Sequence, residues 1–422
     1  MGILTLSTLN TVVERALARH GVTTTVITPF PLLDRRREAD PDTEFLGIHK
    51  WADLRELQDI AHSVKNVDAV MTVDEQCVAA AGFLRDTLGI GGQSYRDALR
   101  TTNKHLMKAV VAAGPNPVPV AEHEVAHTID DVRAAGARLG YPLILKPLSG
   151  FGAVSTFRVD SEEHLLELVW EKAFEQQVPE PSGRASASAG VFQGLLSNGS
   201  AGFVVERRID VASEFFCEML WSGGRPLMTV TAQYSAPVLD LVGRASGLVT
   251  LDPRSDEHAA VVDLSVRACA ALNLTDGFAH CEVMRDSLGQ WWFGEVAARP
   301  GGQEIGGLTS RLLGYDIHDV IAAMARGEQP KIGSVYRCPQ LASSVPLVPV
   351  GRVLRVPDRE DVLAWDGVVD VEIMCRPGDV GSGSHHSTDA AAAYIFFEPS
   401  SPQNALDEMA RLASSFTIET AA

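Results

Sequence analysis

Residues 278–302 read FAHCEVMRDSLGQWWFGEVAARPGG, and their reading decides the fold. Two strand-like runs, CEVM and WWFGEVAA, flank the turn-prone stretch Asp286-Ser287-Leu288-Gly289. Each run carries one glutamate among apolar neighbours, Glu282 in the first and Glu295 in the second. A hairpin turn centred on Leu288-Gly289 uses the glycine where positive φ is needed. It sets Glu282 directly opposite Glu295 on one face, with Cβ atoms roughly 5 Å apart. Two carboxylates that close repel unless a proton or cation lies between them. An oxygen-only pair suits Mg²⁺, which takes one or two carboxylates and completes its shell with phosphate oxygens. Period-two alternation adds Ala297 and Arg299 to the same face. The pattern is that of a phosphoryl-transfer site.

Neighbouring glutamates are commonly solvated side chains on an exposed face. Here Trp291, Trp292, Phe293, Val283 and Met284 argue that at least one face is buried. A register slip of one residue would still separate the two carboxylates.

The chain has 422 residues, enough for two or three domains. Its 45% hydrophobic and 21% charged residues are ordinary for a globular protein. No apolar run approaches the roughly 20 residues of a membrane span, and no basic segment precedes the apolar start, so no secretory signal is expected. The six cysteines are scattered without a CxxC pair, which excludes the usual zinc patterns and points to reduced thiols in a cytoplasm. His385-His386 lies in a Gly/Ser-rich loop with no nearby cysteine or acid. A formal net charge of -18 argues against nucleic acid as a partner.

The first third alternates strand and helix: GILTLST, TVVERALARHG, VTTTVITPF, then DAVMTV and the helix from Cys77 to Leu88. That alternation implies a doubly wound parallel sheet, with ligands at the carboxyl ends of its strands. Glu75, just past DAVMTV, is placed to face one. No GxGxxG follows the first strand, which weakens a dinucleotide-binding reading. Residues 101–114 predict a helix with a polar N-cap cluster and a stop at Gly114-Pro115. Lys104 in its first turn is disfavoured by the helix dipole, a cost that a bound anion would relieve and that a solvated lysine bears at a few tenths of a kcal/mol. In residues 141–159 a buried strand ends at Lys146, and a loop with Ser149, Gly150, Gly152, Ser155 and Thr156 leads to another strand. Such a loop can fold over a triphosphate; it is not a Walker A loop. Residues 178–201 read as a mobile surface loop rich in Pro, Ser and Gly. FVVERRID is a strand with Glu206 near its end, and Glu214 follows. IHDVIAAMARGE is a helix, and the last segment holds short strands, a turn at Pro377–Asp379 and a helix near 403–414.

In this order the pieces resemble the ATP-grasp superfamily of carboxylate–amine ligases, over roughly residues 65–330. The resemblance implies an α/β (α+β) fold in three parts. Residues 1–100 form an N-terminal domain, and 101–328 the nucleotide-binding region with a glycine-loop lid at about 115–205. Residues 329–422 form a C-terminal α+β subdomain. It implies ATP and Mg²⁺ as cofactors, with Mn²⁺ able to substitute. Lys104 and Lys146 would contact the phosphates, and the 149–156 loop would close over them. Residues 206–209, including Arg207 and Ile209, would present backbone groups to adenine, and Glu214 would hold the ribose. Glu282 and Glu295 would bind the metal, and Arg299 would neutralise the transferring phosphoryl group. The substrate contacts would come from Glu75, His280, Arg299, Gly301 and Gly302, although His280 also reads as a packed core histidine.

The family usually has asparagine two residues after the second glutamate; here it is Ala297. The form E-x-A-A-R is similar to that of bacterial L-amino-acid ligases. The function implied is ADP-forming amide synthesis from a small carboxylate and an amine, amino acids foremost, by a cytoplasmic protein that can be a homodimer. The alternative is a nucleotide-binding regulator on the same fold with catalysis lost, for which Ala297 is the only support.

Overall fold

The structure, a computed structural model, describes residues 2–8, 11–150, 155–171, 202–333, 336–381 and 390–421. The segments 178–201 and His385-His386, both expected as loops, lie outside them.

Strands β1 (Gly2–Leu6), β2 (Thr24–Pro29), β3 (Glu44–Ile48) and β4 (Val67–Met71) form a parallel sheet in the order β3-β2-β1-β4. The chain winds outward from β1 to β3 and then returns to the other side of β1. The carboxyl ends of β1 and β4 therefore flank a topological switch point. Polar groups gather there. Thr8 donates its backbone N–H and its hydroxyl to Asp74 Oδ2, at 2.7 and 2.8 Å. Arg36 donates to the Ser7 hydroxyl at 2.7 Å and the Thr8 carbonyl at 2.8 Å, and pairs with Glu14 at 2.6 Å.

Burial raises the Asp74 pKa to about 6, although the Thr8 hydrogen bonds pull it down. The native state thus binds more protons at Asp74 than the unfolded state between about pH 4 and pH 6. This stabilisation is complete below that window and is lost as pH rises through it, a change of roughly 3 kcal/mol. Asp74→Asn should flatten the pH dependence of the unfolding free energy across this range. Identical pH profiles for the two proteins would refute the assignment.

A second, antiparallel sheet has the order β5-β8-β6-β7 and consists of β5 (His123–Ala126), β6 (Leu143–Pro147), β7 (Phe157–Val159) and β8 (Phe203–Arg207). Helices Ile129–Leu139 and Glu162–Trp170 share its apolar core through Val132, Ala135 and Leu165.

The remaining strands are β9 (Val211–Ser222), β10 (Arg225–Tyr234), β11 (Ser246–Thr250), β12 (Gly277–Asp286), β13 (Trp291–Ala297), β14 (Ala342–Val345), β15 (Gly351–Arg355), β16 (Val368–Ile373), β17 (Val380–Gly381), β18 (Ala393–Phe397) and β19 (Glu419–Ala421). Eight of them make one sheet in the order β13-β12-β9-β10-β11-β14-β18-β16. The C-terminal segment thus extends the sheet that holds the hairpin, while β15, β17 and β19 form a small sheet of their own. One face of the large sheet packs Cys217, Cys281, Phe293 and Val296 against helices Lys104–Ala113 and Asp256–Ala271. The other face packs Phe216, Val230 and Leu248 against Gln303–Leu313 and Ile317–Ala325. Burial of a side chain such as Phe293 contributes roughly 2–3 kcal/mol.

The helix expected in residues 101–114 is Lys104–Ala113: the Asn103 side chain accepts from Leu106 N as its N-cap, Gly114 is its C-cap, and a separate helix, Tyr95–Thr102, ends at Asn103. An N-cap must leave helical φ/ψ, so the chain bends there. Helix Gln303–Leu313 is not among the elements read from the sequence, and its glycine pair Gly306-Gly307 does not interrupt it. Gly307 instead allows close packing on the sheet: a Cβ there would lie 2.7 Å from Phe396 Cζ. The six cysteines form no disulfide. Among the described residues no helix is long and apolar enough to cross a membrane.

Candidate active site

Glu282 and Glu295 are paired across β12 and β13, as expected, but the route to that register is different. The strands are joined by the four residues 287–290, closed by Asp286 N to Gln290 O at 3.0 Å and Gly289 N to Asp286 O at 2.9 Å. The Asp286 carboxylate accepts from Leu288 N, Gln290 N and Trp292 Nε1. From that turn the pairs run Arg285 with Trp291, Met284 with Trp292 and Val283 with Phe293. Continued regularly, Glu282 would face Gly294. A β-bulge at this point shifts the ladder by one, so that Glu282 meets Glu295, Cys281 meets Val296 and His280 meets Ala297. Gly294 fits the bulge because a Cβ there would approach Glu282 O to 3.0 Å.

The two carboxylates remain accessible, with side chains 25% and 24% exposed. Cations surround them. Lys104 Nζ lies 2.8 Å from Glu295 Oε2 and donates to Gly150 O at 2.9 Å. Burial works against the Glu295 charge, yet Lys104, Lys146 and Lys108 hold its pKa at about 2. Lys146 Nζ lies 3.6 Å from Glu206 Oε2, and Lys108 Nζ 3.4 Å from Glu206 Oε1. Burial lowers the Lys146 pKa, but Glu206 and Glu295 outweigh it and raise it overall. Arg299 Nε donates to Glu75 Oε2 at 2.8 Å, joining the hairpin to the switch point of the parallel sheet.

On the same face, His280 Nδ1 lies 3.1 Å from Glu218 Oε2 and Nε2 3.8 Å from Glu282 Oε1. Burial would lower the His280 pKa, but hydrogen bonds to Glu218 and Glu282 raise it to about 9. His280 is therefore both buried and part of the site. Gly301 N donates to both Glu218 oxygens, at 3.1 and 3.2 Å. A Cβ on Gly301 would sit 3.0 Å from His280 Nδ1 and 2.6 Å from Ile305 Cγ2, so the close approach needs glycine. Gly302 is the N-cap of Gln303–Leu313. Burial and the Glu282 charge lift Glu214 to about 7, while Val238 N donates to its Oε2 at 2.7 Å.

Other expected residues are less central. Arg207 points outward to Glu122 Oε2 at 3.0 Å and Leu139 O at 2.9 Å, and its N–H donates to Glu122 O. Ile209 is half-buried past the end of β8. Ser149, Gly150, Ser155 and Thr156 flank residues 151–154; Gly152 lies outside the described residues. Sequence reasoning missed Lys108, Glu218 and Glu304. Glu304 accepts from the Ser343 hydroxyl, and burial raises its pKa to about 7.

Among the described residues no three histidine, cysteine or carboxylate groups converge as a ready metal cage, and Ala297 supplies no oxygen. Two accessible carboxylates fit a divalent ion that takes its other ligands from phosphate and water. They do not fit one held by protein alone.

No family model matches the chain. It is 27% identical over 342 residues to the L-arginine-specific L-amino acid ligase of Bacillus subtilis, covering 78% of this chain and 75% of that protein. It is 26% identical over 214 residues to the D-alanine--D-alanine ligase of Ectopseudomonas mendocina, covering 49% of this chain and 59% of that one. Among solved structures, the L-amino acid ligase from Bacillus licheniformis superposes with a TM-score of 0.71 at 18% identity, covering 100% of this chain and 99% of that one. The fold is the ATP-grasp fold. The curated relatives are named as amino acid ligases, and the similarity supports an ATP-dependent carboxylate–amine ligase.

Proposed function

We propose that the chain uses ATP to activate the carboxylate of one amino acid as an acyl phosphate and joins it to the amine of another. The observation that carries this reading is the partly exposed Glu282–Glu295 pair, with Lys104 2.8 Å from Glu295 and Lys146 acting on the same carboxylate. A carboxylate is a poor electrophile. Attack of its oxygen on the γ-phosphorus expels ADP, and attack of the amine on the acyl carbon then expels phosphate. Catalysis of this kind is mainly positioning and charge neutralisation. Mg²⁺ held by Glu282 and Glu295 would supply positive charge to the outer phosphates. Lys104 and Lys146 carry positive charge into the same space. Glu75 fixes Arg299 through Nε, and Nη1 donates to Pro300 O at 2.8 Å. Nη2 has no hydrogen-bond partner among the described residues and is left for the transferring phosphoryl group. Against the effect of burial, hydrogen bonds to Glu218 and Glu282 raise the His280 pKa. Its imidazole orients the Glu218 and Glu282 carboxylates, at 3.1 and 3.8 Å.

ATP turnover with pooled L-amino acids, followed by mass spectrometry, tests this reading. It should yield dipeptides with one ADP and one phosphate each. Stoichiometric AMP and pyrophosphate would overturn it.

A further inference from the structure

We infer that Lys108 is a positioning residue: it pins the β-bulge at Gly294 and so determines the face on which Glu295 is presented. The inference rests on the proposed metal role of Glu282 and Glu295.

The register shows what the bulge does. Without it the pairs that leave the turn would continue as Glu282 with Gly294 and Cys281 with Glu295. Directly opposed residues share a face, and Cys281 lies on the face buried with Cys217 and Cys269. Glu295 would then point into an apolar core, where an unpaired carboxylate is strongly disfavoured. One extra residue in β13 returns it to the side of Glu282. Bulges beside active sites re-aim side chains in this way.

Helix Lys104–Ala113 reads that strand residue by residue. β13 is the last strand of its sheet, and beyond Phe293, whose N–H donates to Pro119 O at 2.8 Å, its outer edge is met by this helix. Lys108 Nζ donates to Gly294 O at 2.8 Å. Met107 Sδ accepts from Val296 N at 3.2 Å. Lys104 Nζ holds the Glu295 carboxylate between them. Positions 104, 107 and 108 share one helix face, and they grip three consecutive residues of β13. Lys108 is 1% exposed, lies 5.9 Å above the Phe293 ring, and has Glu206 as its counter-ion. A wholly buried ammonium whose closest contact is the bulge carbonyl is an expensive way merely to fill space. Methionine would fill it without the desolvation of a charge.

The test measures Mn²⁺ bound in the presence of ADP, by loss of the free-ion electron paramagnetic resonance signal, alongside thermal unfolding. Lys108→Met should weaken Mn²⁺ binding about tenfold or more, as loss of an outer-shell partner typically does, while a cooperative melting transition is kept. Lys108→Arg, which retains a donor and a charge, should restore most of the affinity. If Lys108→Met does not fold, Gly294→Ala attacks the bulge itself and should give the same loss. A folded Lys108→Met or Gly294→Ala protein with wild-type Mn²⁺ affinity overturns the inference and leaves the metal site standing. Failure of the wild type to bind Mn²⁺ removes the metal site, and the inference with it.

Discussion

Glu282→Gln and Glu295→Gln are each expected to lower kcat by on the order of 10³-fold, at the upper end of the loss for a preorganised electrostatic group. The substitution keeps the shape of the side chain and removes its charge, so the circular dichroism of both variants should match the wild type. The two positions differ in a second respect. Glu295 is held at a pKa of about 2 by the surrounding lysines, and Lys104 is its partner at 2.8 Å. Glu295→Gln therefore also leaves a nearly buried ammonium without its counter-ion. ATP affinity at low Mg²⁺ should fall more in Glu282→Gln, because there the metal contribution is lost without a newly unpaired lysine to attract the phosphates. Near-wild-type turnover in both variants at modest Mg²⁺ would remove the hairpin from the mechanism.

The second large effect is expected at Arg299. Arg299→Ala should cost on the order of 10²-fold in kcat, with a smaller change in the KM for ATP. Glu75 binds Nε and the Pro300 carbonyl binds Nη1, so the guanidinium is held at two points. Lysine cannot reproduce that fork, and Arg299→Lys should recover little. Glu75→Gln keeps an acceptor for Nε and should cost about tenfold or less. An Arg299→Ala enzyme changed only in its KM for ATP would show that the arginine binds nucleotide and does not act on the transferring group.

The hairpin shows what a sequence conceals even when it is read correctly. The expected pairing of Glu282 with Glu295 assumed a two-residue turn at Leu288-Gly289. The connection is longer and the pairs that leave it are centred half a residue earlier, and the bulge at Gly294 makes up the difference. Glycine inside a strand run is a known bulge signal, but nothing local says that a carbonyl there will meet a lysine 186 positions away. Lys108 was invisible for that reason: a lysine one turn after Lys104 reads as a solvated helix position. Glu218 lay hidden in FFCEML, where a single acid in an apolar strand has no partner until His280 and Gly301 fold against it. The parallel sheet, the order of the site residues and Lys104 as a helix-start cation were legible, because periodicity and capping are local. The helix after RPGG was not, since its glycines answer to Phe396, a residue of another strand.

The central claim is that the carboxylate is activated at the γ-phosphate. A substrate amino acid labelled with ¹⁸O in its carboxylate tests it most directly. Attack on the γ-phosphorus carries one carboxylate oxygen into the acyl phosphate, and the amine then expels it with phosphate. Mass spectrometry should find one ¹⁸O in each inorganic phosphate released with product, and none in nucleotide. Label recovered in AMP, or unlabelled phosphate alongside labelled water, would contradict the account.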